Sequence, residues 1–129
     1  MLIVDDDASL LETLAEIVRL QGHRVRVARD GEEGLRALAE GAPDVVILDV
    51  EMPALDGPGM ALRMFLRDAG LERIPILLLS GYFRLAEVAE RIGTPYSLPK
   101  PCALDDLLAL LRRVLDERRG PTPQIAPRG

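Results

Sequence analysis

Short apolar runs alternate with longer stretches in which apolar residues recur every three or four positions, five times along the chain. The first pattern predicts strands and the second amphipathic helices. Residues 1–4 are apolar and break into Asp5-Asp6-Asp7. Ser9 and Glu12 have the spacing of a capping box, and Leu10, Leu11, Leu14, Ile17 and Val18 follow at helical intervals. Gln21-Gly22-His23 stops that helix, and residues 24–27 alternate as a half-exposed edge strand would. Asp30 and Glu33 offer a second cap ahead of Leu35 and Leu38, and Gly41-Ala42-Pro43 closes the helix.

Residues 45–48, Val-Val-Ile-Leu, form the organising stretch. Three of the four are β-branched, with no polar residue between them, as expected of a central strand buried on both faces. The run ends in Asp49, and Val50-Glu51-Met52-Pro53 turns the chain away. A Met- and Leu-rich helix is expected over about 60–69, a second buried strand over 76–79 ending in Ser80-Gly81, and a helix over about 83–92. A short strand around 96–98 leads to Pro99-Lys100-Pro101, and a last helix runs over about 103–118. Five strand–helix repeats joined by right-handed crossovers make a (βα)5 α/β fold, a doubly wound parallel sheet with helices on both faces. Residues 1–118 form that domain. Residues 119–129, rich in Pro and Gly, are expected to be a flexible tail or linker stub.

Composition narrows the function. At 129 residues, 48% hydrophobic and 29% charged, the chain is a single ordinary globular domain. A net charge of −5 argues against direct nucleic-acid binding, which depends on basic side chains meeting phosphates. The apolar runs are too short to span a bilayer, so no membrane partner is expected. One cysteine, Cys102, cannot form an internal disulfide, and without a secretory leader a cytoplasmic setting is expected. Cys102 reads as a packing residue, and the single histidine, His23, as a surface one.

The chemistry gathers where strands end. Asp5 and Asp6, Asp49, Ser80 and Lys100 each follow a predicted strand, and parallel strands present their carboxyl ends along one edge, where ligands of such sheets bind. Taken alone, Asp5-Asp6-Asp7 could simply open a helix, since acids suit its N-terminal dipole, and Ser80 could be an ordinary strand-end hydroxyl. Taken together, carboxylates at close range repel unless a cation joins them. Oxygen ligands in a half-open site suit Mg²⁺. Lys100, the only lysine in the chain, is a compact charge suited to a phosphoryl oxygen, and Asp49 could then be a nucleophile.

These motifs, Val4-Asp5-Asp6-Asp7, Leu48-Asp49-Val50-Glu51-Met52-Pro53 with Asp56-Gly57, Ser80-Gly81 and Lys100-Pro101, closely resemble the receiver domain of bacterial two-component response regulators over residues 1–118. The resemblance implies a flavodoxin-like sheet in the order 2-1-3-4-5. It implies Asp49 as phospho-acceptor. Asp6 would be a direct ligand and Asp5 a water-mediated ligand of Mg²⁺ (or Mn²⁺), with Asp49 and the backbone carbonyl of Glu51 completing the protein's set. Ser80 would bond the phosphoryl group and Lys100 neutralise it. Gly81 would leave the site open, Glu51 and Tyr82 would flank the approach of water, and the Lys100-Pro101 peptide would be cis. The expected partners are a sensor histidine kinase or phosphotransfer protein, together with a downstream protein target or fused domain. That target reads the face of the fourth helix, fifth strand and fifth helix, a face also suited to pairing two copies. Such a domain is no conventional enzyme. It catalyses its own aspartyl phosphorylation and dephosphorylation.

One departure bears on switching. The family's usual aromatic three residues before the lysine is here Ser97, and Tyr96, one residue earlier, would face the other way in a regular strand. Either a bulge re-aims Tyr96 or the coupling between Ser80 and an aromatic is absent. Two other readings stay open: an interaction module that keeps the fold without switching, and a phosphatase of the haloacid-dehalogenase type. The second has its nucleophile first and its acidic pair last, the reverse of the order here.

Overall fold

In the computed structural model the described residues are 1–50, 59–61, 64 and 73–122. Five strands are present: β1 (Leu2–Val4), β2 (Arg26–Ala28), β3 (Val46–Leu48), β4 (Ile76–Ser80) and β5 (Tyr96–Pro99). Four helices have both ends among the described residues: α1 (Ala8–Leu20), α2 (Gly31–Glu40), α3 (Leu85–Ile92) and α4 (Leu104–Glu117). Gly59–Ala61 and Met64 are helical as well, and the rest of the helix expected over 60–69 lies outside the described residues.

The sheet runs β2-β1-β3-β4-β5, and every pairing is parallel. This is the flavodoxin-like order implied by the resemblance. Alternation along each strand divides the core into two layers. Leu2, Val4, Val46, Leu48, Ile76 and Leu78 point to the side of α2, α3, Met60 and Met64. Ile3, Ile47, Leu77, Leu79 and Tyr96 point to the side of α1 and α4. Burying β3 on both faces is what its unbroken apolar run requires.

Several boundaries differ from expectation. The cap of α1 is Asp7, whose carboxylate accepts the Leu10 N–H at 3.1 Å, and not Ser9. Ser9 already lies inside the helix, where its carbonyl accepts the Thr13 hydroxyl. The second cap is as read: Asp30 accepts the Glu33 N–H at 2.8 Å, while the Glu33 carboxylate accepts the Arg29 N–H. The edge strand β2 starts two residues later than its alternation suggests. Phe83 precedes α3 and is 83% exposed. The stretch after α4 stays in contact with the domain to Thr122, whose N–H donates to the Gly93 carbonyl at 3.2 Å. Residues 123–129 lie outside the described residues.

Candidate functional site at the carboxyl edge of the sheet

The edge is built from the last rungs of the ladder. The Asp5 N–H donates to the Ala28 carbonyl, the Asp49 N–H to the Val4 carbonyl and the Lys100 N–H to the Ser80 carbonyl, each at 3.0–3.1 Å. Each residue is therefore fixed through its own backbone to the neighbouring strand. Side chains on such a frame are held more precisely than on a free loop.

Asp5, Asp49 and Ser80 are buried, while Asp6 is exposed. One carboxylate oxygen from each of Asp5, Asp6 and Asp49 lies within 4.8 Å of the other two. Opposite ligands of an octahedral Mg²⁺ with bonds of about 2.1 Å stand about 4.2 Å apart, so this all-oxygen set fits a small hard cation after slight contraction. The expected ligand from Glu51, and its expected effect on water, lie outside the described residues.

Lys100 brings the balancing charge. Its Nζ is 2.6 Å from Asp5 Oδ2 and 3.9 Å from Asp49 Oδ2. Asp5 also accepts the Asp7 N–H at 3.0 Å, so the deepest acid of the cluster is fully engaged. Asp49 is held differently. Burial pushes its carboxyl above the ordinary value of 3.8, against the opposing pull of the Ser80 hydroxyl bond and the Lys100 charge. A buried carboxylate is less well solvated than one in water, which suits an attacking oxygen. The Ser80 hydroxyl lies beside Asp49, and its oxygen accepts the Tyr82 N–H at 3.2 Å. Gly81 is exposed, and among the described residues a Cβ there would meet only the Lys100 Cβ at 4.0 Å. Tyr82 is half-buried against the α2–α3 layer, its ring 5.2 Å from that of Phe83. Lys100-Pro101 is cis.

Asp5, Asp6, Asp49, Ser80 and Lys100 thus meet at one edge. Ser97 and Tyr96 do not join them. The β4–β5 register is regular, Leu77 with Tyr96 and Ser80 with Pro99, with no bulge to re-aim the ring. Tyr96 is fully buried in the α1–α4 layer, and its hydroxyl donates to Glu117 at 3.0 Å. Asp7 is the contributor that the acidic run concealed. It ties Asp5 to the start of α1, and its position directly before Ala8 was the available signal.

The family model for the response regulator receiver domain matches residues 1–112. The chain belongs to that family. The response regulator MprA of Mycolicibacterium vanbaalenii is 39% identical over 117 residues, covering 89% of this chain and 49% of that protein. MprA of Mycobacterium ulcerans is 38% identical with the same coverage. This receiver chain therefore spans about half the length of the curated relatives it matches. Among solved structures, Vibrio cholerae CheY4 has a TM-score of 0.80 at 29% identity, covering 88% of this chain and 96% of that one. The signal receiver domain of a Syntrophus aciditrophicus signal transduction histidine kinase has a TM-score of 0.81 at 28% identity, covering 99% and 97%. Among the described residues no helix is long and apolar enough to cross a membrane.

Proposed function

We propose that this receiver domain carries signals in a two-component phosphorelay by accepting a phosphoryl group on Asp49. The observation that carries the reading is the convergence of three acids, one hydroxyl and one ammonium on a single sheet edge. An Asp49 carboxylate oxygen attacks phosphorus as the P–N bond to a partner's phospho-histidine breaks, and the bonding electrons return to the imidazole nitrogen. Little more than positioning and charge neutralisation is needed for such a transfer. Lys100 faces Asp49 and neutralises one phosphoryl oxygen, and the Ser80 hydroxyl beside Asp49 bonds another. Asp5, Asp6 and Asp49 would hold Mg²⁺ (or Mn²⁺), which would neutralise charge on the phosphoryl group. Water attacking phosphorus later restores the carboxylate and releases inorganic phosphate, with Tyr82 beside its path.

The donor is a histidine kinase or phosphotransfer protein in the cytoplasm. The output is read from the face of α3, β5 and α4, which are the fourth helix, fifth strand and fifth helix of the sequence reading. Incubation with Mg²⁺ and a small phosphodonor such as acetyl phosphate should add one phosphoryl mass to the wild type and none to Asp49→Asn. Equal labelling of both would overturn the assignment. A second reading is favoured by Tyr96, whose burial in the other layer leaves Ser80 without the usual aromatic partner. On that reading Asp49 is phosphorylated but the α3–β5–α4 face does not respond. Unchanged hydrogen exchange across that face in a fully labelled sample would select it.

A further inference from the structure

The segment after α4 is seated on three elements at once. Arg118, in the left-handed region at φ 51°, reverses the chain at the end of α4. Its N–H remains bonded to Val114 at 2.7 Å. The Arg119 N–H then donates to the Tyr96 hydroxyl on β5 at 3.4 Å. Pro121 is buried, and both the N–H and the hydroxyl of Thr122 donate to the carbonyl of Gly93, which caps α3, at 3.2 and 3.4 Å.

The seat is shaped for this segment. Gly93 has φ +77°, and a Cβ on it would run into the Thr122 carbonyl, so glycine is required both by the backbone turn and by the close approach of the segment. Tyr96 is locked from the other side. Its hydroxyl donates to Glu117, whose carboxylate also accepts Arg113 Nε at 3.1 Å, and the Arg113 guanidinium lies 5.5 Å from the ring centroid. A tether without a seat would leave Pro121 in water and would bring no carbonyl against Gly93.

We propose that residues 119–122 form a strap that staples α3, β5 and α4 together, with Tyr96 as its fixed post and the Gly93 carbonyl as its catch. The strap then holds α3 in place on the sheet, and any chain beyond Thr122 leaves from the Gly93 corner. The pole it occupies is the amino end of β5, opposite to Lys100, so the proposal does not depend on phosphorylation of Asp49.

Two variants test it in the whole chain by hydrogen-exchange mass spectrometry without phosphodonor. Thr122→Pro removes the N–H and hydroxyl that reach Gly93 and touches neither α3 nor β5. Tyr96→Phe removes the post's hydroxyl and keeps its ring. In the wild type the Arg119 and Thr122 amides should exchange about tenfold or more below free-peptide rates. Thr122→Pro should free Arg119 and speed exchange in α3 several-fold, while β1 and β3 stay protected. Tyr96→Phe should do the same to a smaller extent. Free-peptide exchange at Arg119 and Thr122 in the wild type would overturn the strap, and a freed strap with unchanged α3 would overturn the staple.

Discussion

Lys100 Nζ lies closer to Asp5, at 2.6 Å, than to Asp49, at 3.9 Å. The lysine is thus a counter-ion of the acidic cluster, and it leans toward the more buried acid. The side chain of Asp5 is 4% exposed and that of Lys100 23%, so the pair is only partly screened by solvent. The same ammonium faces both the cluster and the oxygen proposed to receive the phosphoryl group. Its position reports how the site holds negative charge before any donor arrives.

Removing that charge without changing the length of the stem should expose the repulsion it masks. Lys100→Met should lower the stability of the metal-free domain by about 1–3 kcal/mol, the range for leaving a buried acceptor without its partner, since the partly exposed pair is screened by solvent. It should also bind Mg²⁺ more tightly than the wild type, because no ammonium competes for Asp5. Urea melts in chelator and a calorimetric Mg²⁺ titration measure the two effects. A variant as stable as the wild type, or one with weaker Mg²⁺ binding, would count against Lys100 as the resident cation.

Asp49 makes the metal-free protein respond to pH in the direction opposite to most carboxylates. Burial raises its folded-state pKa above the ordinary value, so between that value and the raised one the folded chain binds more protons than the unfolded chain. Within this window stability falls as pH rises, and above it the cost of the buried charge is fully present. Asp49→Asn keeps the shape and never ionises. It should therefore be more stable than the wild type at pH 7 in chelator, and the advantage should shrink as pH falls through the raised Asp49 pKa toward 3.8. Denaturant melts of both proteins at a series of pH values decide this, and a constant difference would refute it.

Most of this architecture was legible from residue order. Unbroken apolar runs at 45–48 and 76–79, rich in β-branched residues or bounded by turn residues, read as strands buried on both faces, and five strand–helix repeats admit few topologies. The site was legible because a parallel sheet gathers its strand ends, so Asp5, Asp49, Ser80 and Lys100 had to meet. What escaped is of a different kind. Ser9 and Asp7 both make acceptable caps, and the choice between them is a matter of two residues at the start of α1. The pairing of Lys100 with Asp5 is set by a side-chain torsion that no spacing encodes. The seat of residues 119–122 rests on Gly93 and Tyr96, over twenty residues away, so local composition could only suggest a tail.

Asp6 and Asp5 should separate cleanly when each is replaced, because one is exposed and the other has partners. Asp6→Ala should stabilise the metal-free domain by a few tenths of a kcal/mol, since repulsion near solvent is weak. Asp5→Ala should destabilise it, as it strips the Asp7 N–H and Lys100 of their acceptor. Both should abolish the rise in melting temperature that millimolar Mg²⁺ is expected to give the wild type by binding only the folded cluster. Thermal melts with Mg²⁺ and with chelator measure all three proteins. A wild-type curve indifferent to Mg²⁺ would remove the metal from the site.

The two tyrosines should respond differently to phosphorylation. Tyr82 sits two residues after Ser80, and its N–H donates to the Ser80 hydroxyl oxygen, so a hydroxyl that turns toward a phosphoryl group must disturb it. Tyr96 lies in the other layer of the core, with its hydroxyl held by Glu117 and its ring under Arg113. Rotating it would empty a buried site, and emptying a large aromatic site costs about 3–5 kcal/mol, more than a hydroxyl bond of about 1 kcal/mol can drive. With only two tyrosines in the chain, ring signals in selectively labelled samples can be followed singly. On addition of Mg²⁺ and acetyl phosphate the Tyr82 ring resonances should shift and those of Tyr96 should stay. A large shift of Tyr96 with a still Tyr82 would mean that the ring leaves its layer, and that the signal reaches β5 through the tyrosine whose burial should close that path.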